Sequence, residues 1–261
     1  MTNQDLEELC ERAADLIVGS AKVVVFTGAG VSTESGIPDF RSPGGLWDRY
    51  DPDDFTYQKF VADPKARRTM WRMIAEEFLT DAQPNPAHLA IAELERLGKL
   101  DCVITQNVDD LHQRAGNSPE RVFELHGNMK WAICLGCGQL FTMDHIRDRL
   151  EAGEETPDCE ACHGMLKPAG VLFGETLPEK VLQGAIDHSR SCDLMFVIGS
   201  TLLVYPAAYM PVYAAQAGAK VVIVNLTPTP LDKMASLIIQ GRAGGVMSQI
   251  VARVREKSKI L

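Results

Sequence analysis

The sequence predicts an α/β fold, a doubly wound parallel sheet carrying a smaller inserted unit, and three observations lead there. Near-continuous apolar runs at residues 22–27, 101–105, 193–198 and 220–224 are what strands covered on both faces require. Segments of helical character separate these runs, and such alternation favours parallel strands joined by crossover helices. Between residues 128 and 167 the rhythm stops. Glycines, charges and four paired cysteines replace the buried-strand run, in a stretch too long for a plain strand-to-helix connection.

In chain order, residues 4–18 place Leu6, Leu9, Cys10, Ala13, Leu16 and Ile17 at three- and four-residue spacing with acidic residues between them, which predicts an amphipathic opening helix. Residues 48–80 are rich in charge and aromatics, among them Tyr50, Phe55, Tyr57, Phe60, Trp71 and Phe78, and read as a small helical lobe leaning over the loop before it. A helix is expected to start near Pro86 and stop at Gly98. Two more are expected over residues 178–189 and 206–217, where a proline suits the first turn. There is no internal repeat and no low-complexity tract.

A chain of 261 residues, 46% hydrophobic, can bury a sizeable core in one large domain or in one domain plus an insert. No apolar stretch reaches the ~20 residues needed to cross a bilayer. The N-terminus, with Asp5, Glu7 and Glu8, lacks the basic-then-apolar order of an export signal, so a soluble, cytoplasmic protein is expected. A net charge of -9 opposes binding to nucleic acid or anionic membranes and suits basic partners such as lysine-rich peptides. Four of the seven cysteines form two Cys-x-x-Cys pairs, which in an unexported chain point to metal or redox chemistry before disulfides.

Those pairs are Cys134 with Cys137 and, after twenty-one intervening residues, Cys159 with Cys162. Each pair is spaced to grip one face of a tetrahedral ion, and zinc is the expected occupant; the alternatives are two redox pairs or four unrelated thiols. A four-sulfur site leaves no open position, so the zinc would be structural. His163 adjoins the second pair, but Cys162 already completes the set.

The stretch after the first apolar run opens with Gly28, Ala29 and Gly30 and runs through Phe40 and Arg41 to Trp47. Glycines there let the backbone turn tightly and approach a diphosphate, whose charge suits helix N-terminal amides. The usual dinucleotide fingerprint wants a third glycine at position 33 and an acid closing a second strand. Thr33 stands instead and no such acid follows, so this is not an ordinary dehydrogenase loop. Gln106, Asn107 and Asp109 follow the second apolar run, at a carboxyl end of the sheet where ligands of open α/β folds bind; a capped turn with no ligand is the other reading. Gly199, Ser200 and Thr201, and then Asn225, repeat the pattern. His126 has a side chain suited to proton transfer, but a lone histidine there is more often a packed or exposed residue than a catalyst. Residues 168–175 form a short apolar stretch, either an edge for a substrate peptide or an ordinary strand or linker.

Taken together, these residues closely resemble the sirtuin family of NAD-dependent protein-lysine deacylases. The match covers nearly the whole chain in order. It runs through Gly28 to Ser32, Gly36 to Arg41, Thr105 to Asp109, Leu125 to Gly127, the cysteine pairs, Phe173 to Glu175, Gly199 with Ser200, and Val224 with Asn225. The resemblance implies a Rossmann-like NAD-binding domain of residues 1–47, 81–127 and 168–261. The small domain would join the helical lobe, residues 48–80, to the zinc-binding module, residues 128–167.

By the same resemblance, Gly28, Ala29, Gly30, Ser32, Asp39 and Arg41 belong to the site for diphosphate and ribose. Gly199, Ser200, Thr201, Asn225, Leu226 and Ala243 belong with the adenosine half. Gln106, Asn107 and Asp109 would hold the nicotinamide end, Phe40 would shield the reacting carbon, and His126 would be the general base. An acylated lysine peptide would add as a strand between Val171, Leu172, Phe173, Gly174 and Glu175 on one side and Val204 and Tyr205 on the other. Gly170 replaces the β-branched residue common before that valine, which implies a roomier tunnel mouth. The reaction implied yields nicotinamide, free lysine and O-acyl-ADP-ribose from proteins bearing acetyl-lysine. Members that prefer succinyl or malonyl groups carry a Tyr-x-x-Arg pair, whereas Tyr57 is followed by Gln58, Lys59 and Phe60, so apolar acyl groups are expected. Protein ADP-ribosyl transfer and a non-catalytic NAD- or zinc-dependent interaction role are the alternatives.

Overall fold

The computed structural model describes residues 3–79 and 81–259. Thr80, the expected end of the lobe, and the chain ends at residues 1, 2, 260 and 261 lie outside the described residues. The chain runs through α1 (Asn3–Val18), β1 (Val23–Thr27), α2 (Tyr57–Ala62), α3 (Pro64–Glu77), α4 (Pro86–Arg96), β2 (Leu100–Thr105), α5 (Leu111–Ala115), β3 (Val122–Glu124), β4 (Trp131–Cys134), β5 (Leu140–Thr142) and α6 (Met143–Glu151). It continues through β6 (Leu166–Pro168), α7 (Glu179–Ser191), β7 (Leu194–Ile198), α8 (Met210–Gln216), β8 (Lys220–Asn225), β9 (Leu237–Gln240) and α9 (Ala243–Ser258).

Six strands form a sheet in the order β3-β2-β1-β7-β8-β9, every neighbour parallel. The chain leaves β1 toward one edge and returns at β7 to build the other, so the order reverses between these two strands. That reversal opens a crevice at their carboxyl ends. β1 and β7 are buried along their whole length because helices cover both faces. Val23 and Val25 join a core with Ile17 of α1, Ile91 of α4 and Ile250 of α9, while Val24 and Phe26 join one with Ala185 of α7 and Met210 of α8. α4 begins where expected: the Asn85 side chain accepts from the Ala87 N–H at 2.9 Å and Pro86 fills the first turn.

Three expectations need correction. The helix read from Pro206 is a 3-10 turn, Ala207–Tyr209, followed by α8, whose own Pro211 lacks an N–H and takes the first turn. The edge strands β3 and β9 were not legible as apolar runs, because β9 alternates buried and exposed residues and β3 has only three. The third concerns residues 128–167, which hold strands after all. β5, β4 and β6 make a three-stranded antiparallel sheet, with Ala132 opposite Phe141 and Pro168, and β6 ends at residue 168.

That small sheet shares one core with the lobe. Ala132, Phe141, Ile146 and Leu166 pack with Leu46, Phe55, Phe60, Trp71 and Ile74, so two segments remote in sequence form one packing unit. α3 enters this core through a capped start, the Asp63 side chain accepting from the Lys65 N–H at 2.8 Å with Pro64 next to it. Among the described residues no helix is long and apolar enough to cross a membrane.

Candidate active site at the reversal of strand order

The loops after β1, β2 and β7 are locked together at the crevice. The Gly30 N–H donates to the Gly199 carbonyl at 2.8 Å and the Gly28 N–H to that of Ile198 at 3.1 Å. A Cβ on Gly28 or Gly30 would lie 2.9 or 2.8 Å from the Gly199 oxygen, and one on Gly199, whose φ is +61°, would lie 2.3 Å from the Val31 nitrogen. No side chain fits between the two loops. Ser200 is buried, and its Oγ accepts from Gln106 Nε2 at 2.9 Å, which adds the third loop. Thr201 is half-buried beside it, Asn225 ends β8, Leu226 is exposed, and buried Ala243 opens α9.

Below the crevice lies a polar floor. Asn107 Nδ2 donates to Ser32 Oγ at 3.0 Å, and the Ser32 hydroxyl donates to Asp109 Oδ2 at 2.6 Å. The Leu111 N–H donates to the other Asp109 oxygen at 3.0 Å. Burial pushes the Asp109 carboxyl above its ordinary range, against the pull of these donors. His88, fully buried beneath, receives the Asn85 N–H on Nδ1, so its Nε2–H points to Ser32 Oγ at 3.5 Å. Burial lowers its pKa to about 4. His112 stacks edge-on to His88 at 5.0 Å and meets Thr27 Oγ1 at 2.9 Å; it too is held neutral by burial.

His126 follows Leu125 at the end of β3. Its Nδ1 meets the Gln106 carbonyl at 2.9 Å. A carbonyl only accepts, so Nδ1 carries the hydrogen and Nε2 keeps its lone pair. Burial depresses the imidazole pKa, partly offset by the Gln106 carbonyl, so the ring is a neutral base. Gly127 turns the chain at φ +69°, where a Cβ would meet the Ala169 oxygen at 2.3 Å.

The loop from Ile37 to Leu46 covers the crevice from the side. Asp39 shapes its turn: its Oδ1 accepts from the N–H groups of Arg41 and Ser42 at 2.9 and 2.7 Å. The Arg41 side chain is exposed and unpaired among the described residues. Phe40 stacks on Trp47 at 5.1 Å, and Trp47 reaches Phe55 of the lobe at 5.4 Å and Phe173 at 6.2 Å.

Residues 168–175 are less open than a free edge. The Val171 N–H donates to the His126 carbonyl, the Phe173 N–H to that of Phe55, and the Phe173 carbonyl accepts from Tyr57. Leu172 is tied to Glu175 in a local turn through Glu175 Oε2, at 2.7 Å from its N–H, and through its own carbonyl. Only Gly174 keeps both backbone groups unpaired among the described residues. Sequence reading missed Lys167. Its buried ammonium donates to the carbonyls of Pro168 and Gly170 and to Glu175 at 3.0, 2.8 and 3.0 Å, pinning the whole segment from below. Pro206, which follows Val204 and Tyr205 in the chain, lines one cavity with Glu175 at this segment's end.

The four cysteines converge as expected. The Sγ atoms of Cys134 and Cys162 are 3.4 Å apart and those of Cys137 and Cys159 3.7 Å, close to the ~3.8 Å edge of a tetrahedron about zinc. The Cys137 and Gly136 N–H groups donate to Cys134 Sγ and hold that thiol below its ordinary range, the state a metal ligand needs. His163 is exposed and outside the cluster.

Comparison with known proteins agrees with this geometry. The model of the Sir2 family matches residues 28–206. The NAD-dependent protein deacetylase 1 of Bradyrhizobium diazoefficiens is 45% identical over 249 residues, covering 95% of this chain and 97% of that one. A structure described as a basis for the mechanism and regulation of Sir2 enzymes superposes with a TM-score of 0.89 at 45% identity, over 96% of this chain and 99% of that one. A Sir2 complex with p53 peptide and NAD+ gives 0.83 at 39% identity, over 95% and 97%. Matched by the family model over residues 28–206 and by relatives along nearly their full length, the chain belongs to the Sir2 family.

Proposed function

We propose that this protein removes acetyl or other apolar acyl groups from protein lysines in an NAD-dependent reaction that yields nicotinamide, free lysine and O-acyl-ADP-ribose. The observation that carries the reading is His126, a neutral imidazole with its hydrogen fixed on Nδ1 and Nε2 free, one bond from the Gln106 loop that leads to Asn107 and Asp109. Bound NAD would supply a ribosyl carbon with nicotinamide as leaving group. The interlocked glycines and the unpaired Arg41 fit a diphosphate, and the buried Asn107, Ser32 and Asp109 fit an amide and ribose hydroxyls.

Each residue then has a task. Gly28, Ala29 and Gly30 hold the diphosphate with Arg41; Asp39 acts indirectly, as the anchor of that turn. Ser200, Asn225 and Ala243 serve the adenosine half. Asn107 and Asp109 orient the nicotinamide end, and Phe40, braced by Trp47, excludes water from the reacting carbon. His126 Nε2 accepts a proton from a ribose hydroxyl and so makes it a nucleophile toward the acyl carbon. The acyl-lysine passes over Val171 and Phe173, and Gly174 offers its free backbone groups to the peptide. Arg67 supports an apolar acyl group: its guanidinium is committed to the carbonyls of Phe60 and Val61, both at 3.0 Å, instead of meeting an acyl carboxylate.

The same reading divides the chain into a large unit of residues 1–47, 81–127 and 168–261 and a small one of residues 48–80 and 128–167, supported by the shared core of lobe and zinc module. It places the enzyme in the cytoplasm, supported by seven cysteines of which four gather as a metal cluster and none is paired in a disulfide among the described residues. The acidic surface argues against nucleic-acid or anionic-membrane partners.

The test is incubation with an acetyl-lysine peptide with and without NAD, following peptide mass, nicotinamide and protein-bound ADP-ribose. Deacetylation that needs NAD is expected, and His126→Ala should lower kcat by about a hundredfold or more while NAD still binds. Acetyl loss without NAD, or an unaffected variant, refutes the reading. ADP-ribose on protein with acetyl-lysine intact would make it a transferase.

A further inference from the structure

We propose that the cavity at the end of the peptide slot is a subsite for a long basic side chain, lysine or arginine, flanking the acyl-lysine of the substrate. The proposal rests on the deacetylase reading. The cavity holds about 550 Å³ and is lined by Glu175, Thr176, Leu177, Glu179, Leu182 and Pro206. Glu175 ends the segment that carries Phe173 and Gly174, and Pro206 follows Val204 and Tyr205, so the cavity opens where both walls of the slot run out. An extended peptide advances ~3.3 Å per residue and alternates its side chains, so a residue one or two places from the acyl-lysine reaches this opening.

The lining selects the occupant. Leu177, Leu182 and Pro206 give an apolar wall. Of the two acids, Glu175 is already ion-paired, its Oε2 accepting from Lys167 Nζ and the Leu172 N–H. Glu179 is exposed and has no hydrogen bond or ion pair among the described residues. It precedes Leu182 by one turn of α7, which puts both side chains on one face. An apolar wall ending in an unpartnered carboxylate matches an aliphatic stem ending in a cation, the construction of lysine and arginine alone among side chains. A short residue leaves the wall uncovered, and an acidic one meets like charge.

The test uses acetyl-lysine peptides that differ only in carrying Arg, Ala or Glu at each of the two positions on either side of the acetyl-lysine. At one position kcat/KM should favour Arg over Ala by about three- to tenfold and Ala over Glu, mainly through KM, as expected for one exposed ion pair plus a covered stem. Glu179→Gln should bring the Arg/Ala ratio toward one, and Glu179→Lys should turn the preference toward Glu. Equal rates for Arg and Ala at all four positions, or an Arg preference that survives Glu179→Gln, overturn the subsite. If no peptide is deacetylated, the deacetylase reading fails instead. The subsite is then decided by the affinities of the same peptides, fluorescently labelled, where the Arg/Ala ratio and its loss in Glu179→Gln apply unchanged.

Discussion

In the six-stranded sheet, β1 and β7 are buried on both faces by helices on either side, and the apolar cores above and below are continuous. In the three-stranded sheet β6 is buried throughout, but β4 and β5 are covered on one face only. Ala132, Cys134, Phe141 and Leu166 point inward, while Trp131 and Leu140 remain 40% and 54% exposed. The first sheet buries enough to hold itself; the second is too small for that and leans on four thiols and on the neighbouring lobe. Stability therefore comes from different sources in the two regions, and each source can be removed separately.

The largest effect should come from the metal. Chelating the zinc, or replacing Cys159 by alanine, removes a contribution of about 10 kcal/mol on the scale of isolated zinc modules. We expect fast proteolysis within residues 128–167, loss of deacetylation, and a large sheet still folded by circular dichroism. A metal-free protein at full activity would break the comparison.

Acid should attack the other region. His88 is held neutral down to about pH 4, whereas in the unfolded chain it takes a proton below 6.5. The unfolded state binds the extra proton between those values, so stability is full above pH 6.5 and is lost as pH falls toward 4, by about 3 kcal/mol for this group. His112 shifts in the same direction. Thermal midpoints from pH 7 to 4.5 should fall, and His88→Gln should flatten the slope. An unchanged slope would show that His88 is already charged when folded.

The smallest effect concerns the joint. Lys167 leaves the last strand of the small sheet and holds the segment that reaches His126. Lys167→Met strands the partly buried Glu175 carboxylate and should cost about 2 kcal/mol, less than a fully buried pair because Glu175 is partly solvated. The KM for peptide should rise several-fold with that for NAD nearly constant, and Lys167→Arg should recover most of it. Equal changes in both KM values would make Lys167 a general stabiliser.

Much of this molecule was legible in its sequence, for a physical reason. Strands buried on both faces must be apolar throughout, so 22–27, 101–105, 193–198 and 220–224 announced the sheet's centre, and thiol spacing announced the metal cluster. β9, β4 and β5 are covered on one face only, and β6 is only three residues long, so their pattern disappears among loops. Lys167, His88 and His112 were equally silent. Their roles depend on partners brought from elsewhere in the chain or on burial, and a lone lysine or histidine reports neither. Asp39 shows what residue type alone leaves out: it suits a ligand, and one of its oxygens, Oδ1, is engaged by its own turn.

The fit of Gly199 against Gly30 and Val31 has a consequence for inheritance and for protein engineering. Because the backbone of one loop fills the space where the other's side chains would stand, neither loop can be exchanged alone. A chimera that takes residues 27–36 from a distant relative will need residues 198–202 from the same parent, and in descent the two stretches should change together or not at all.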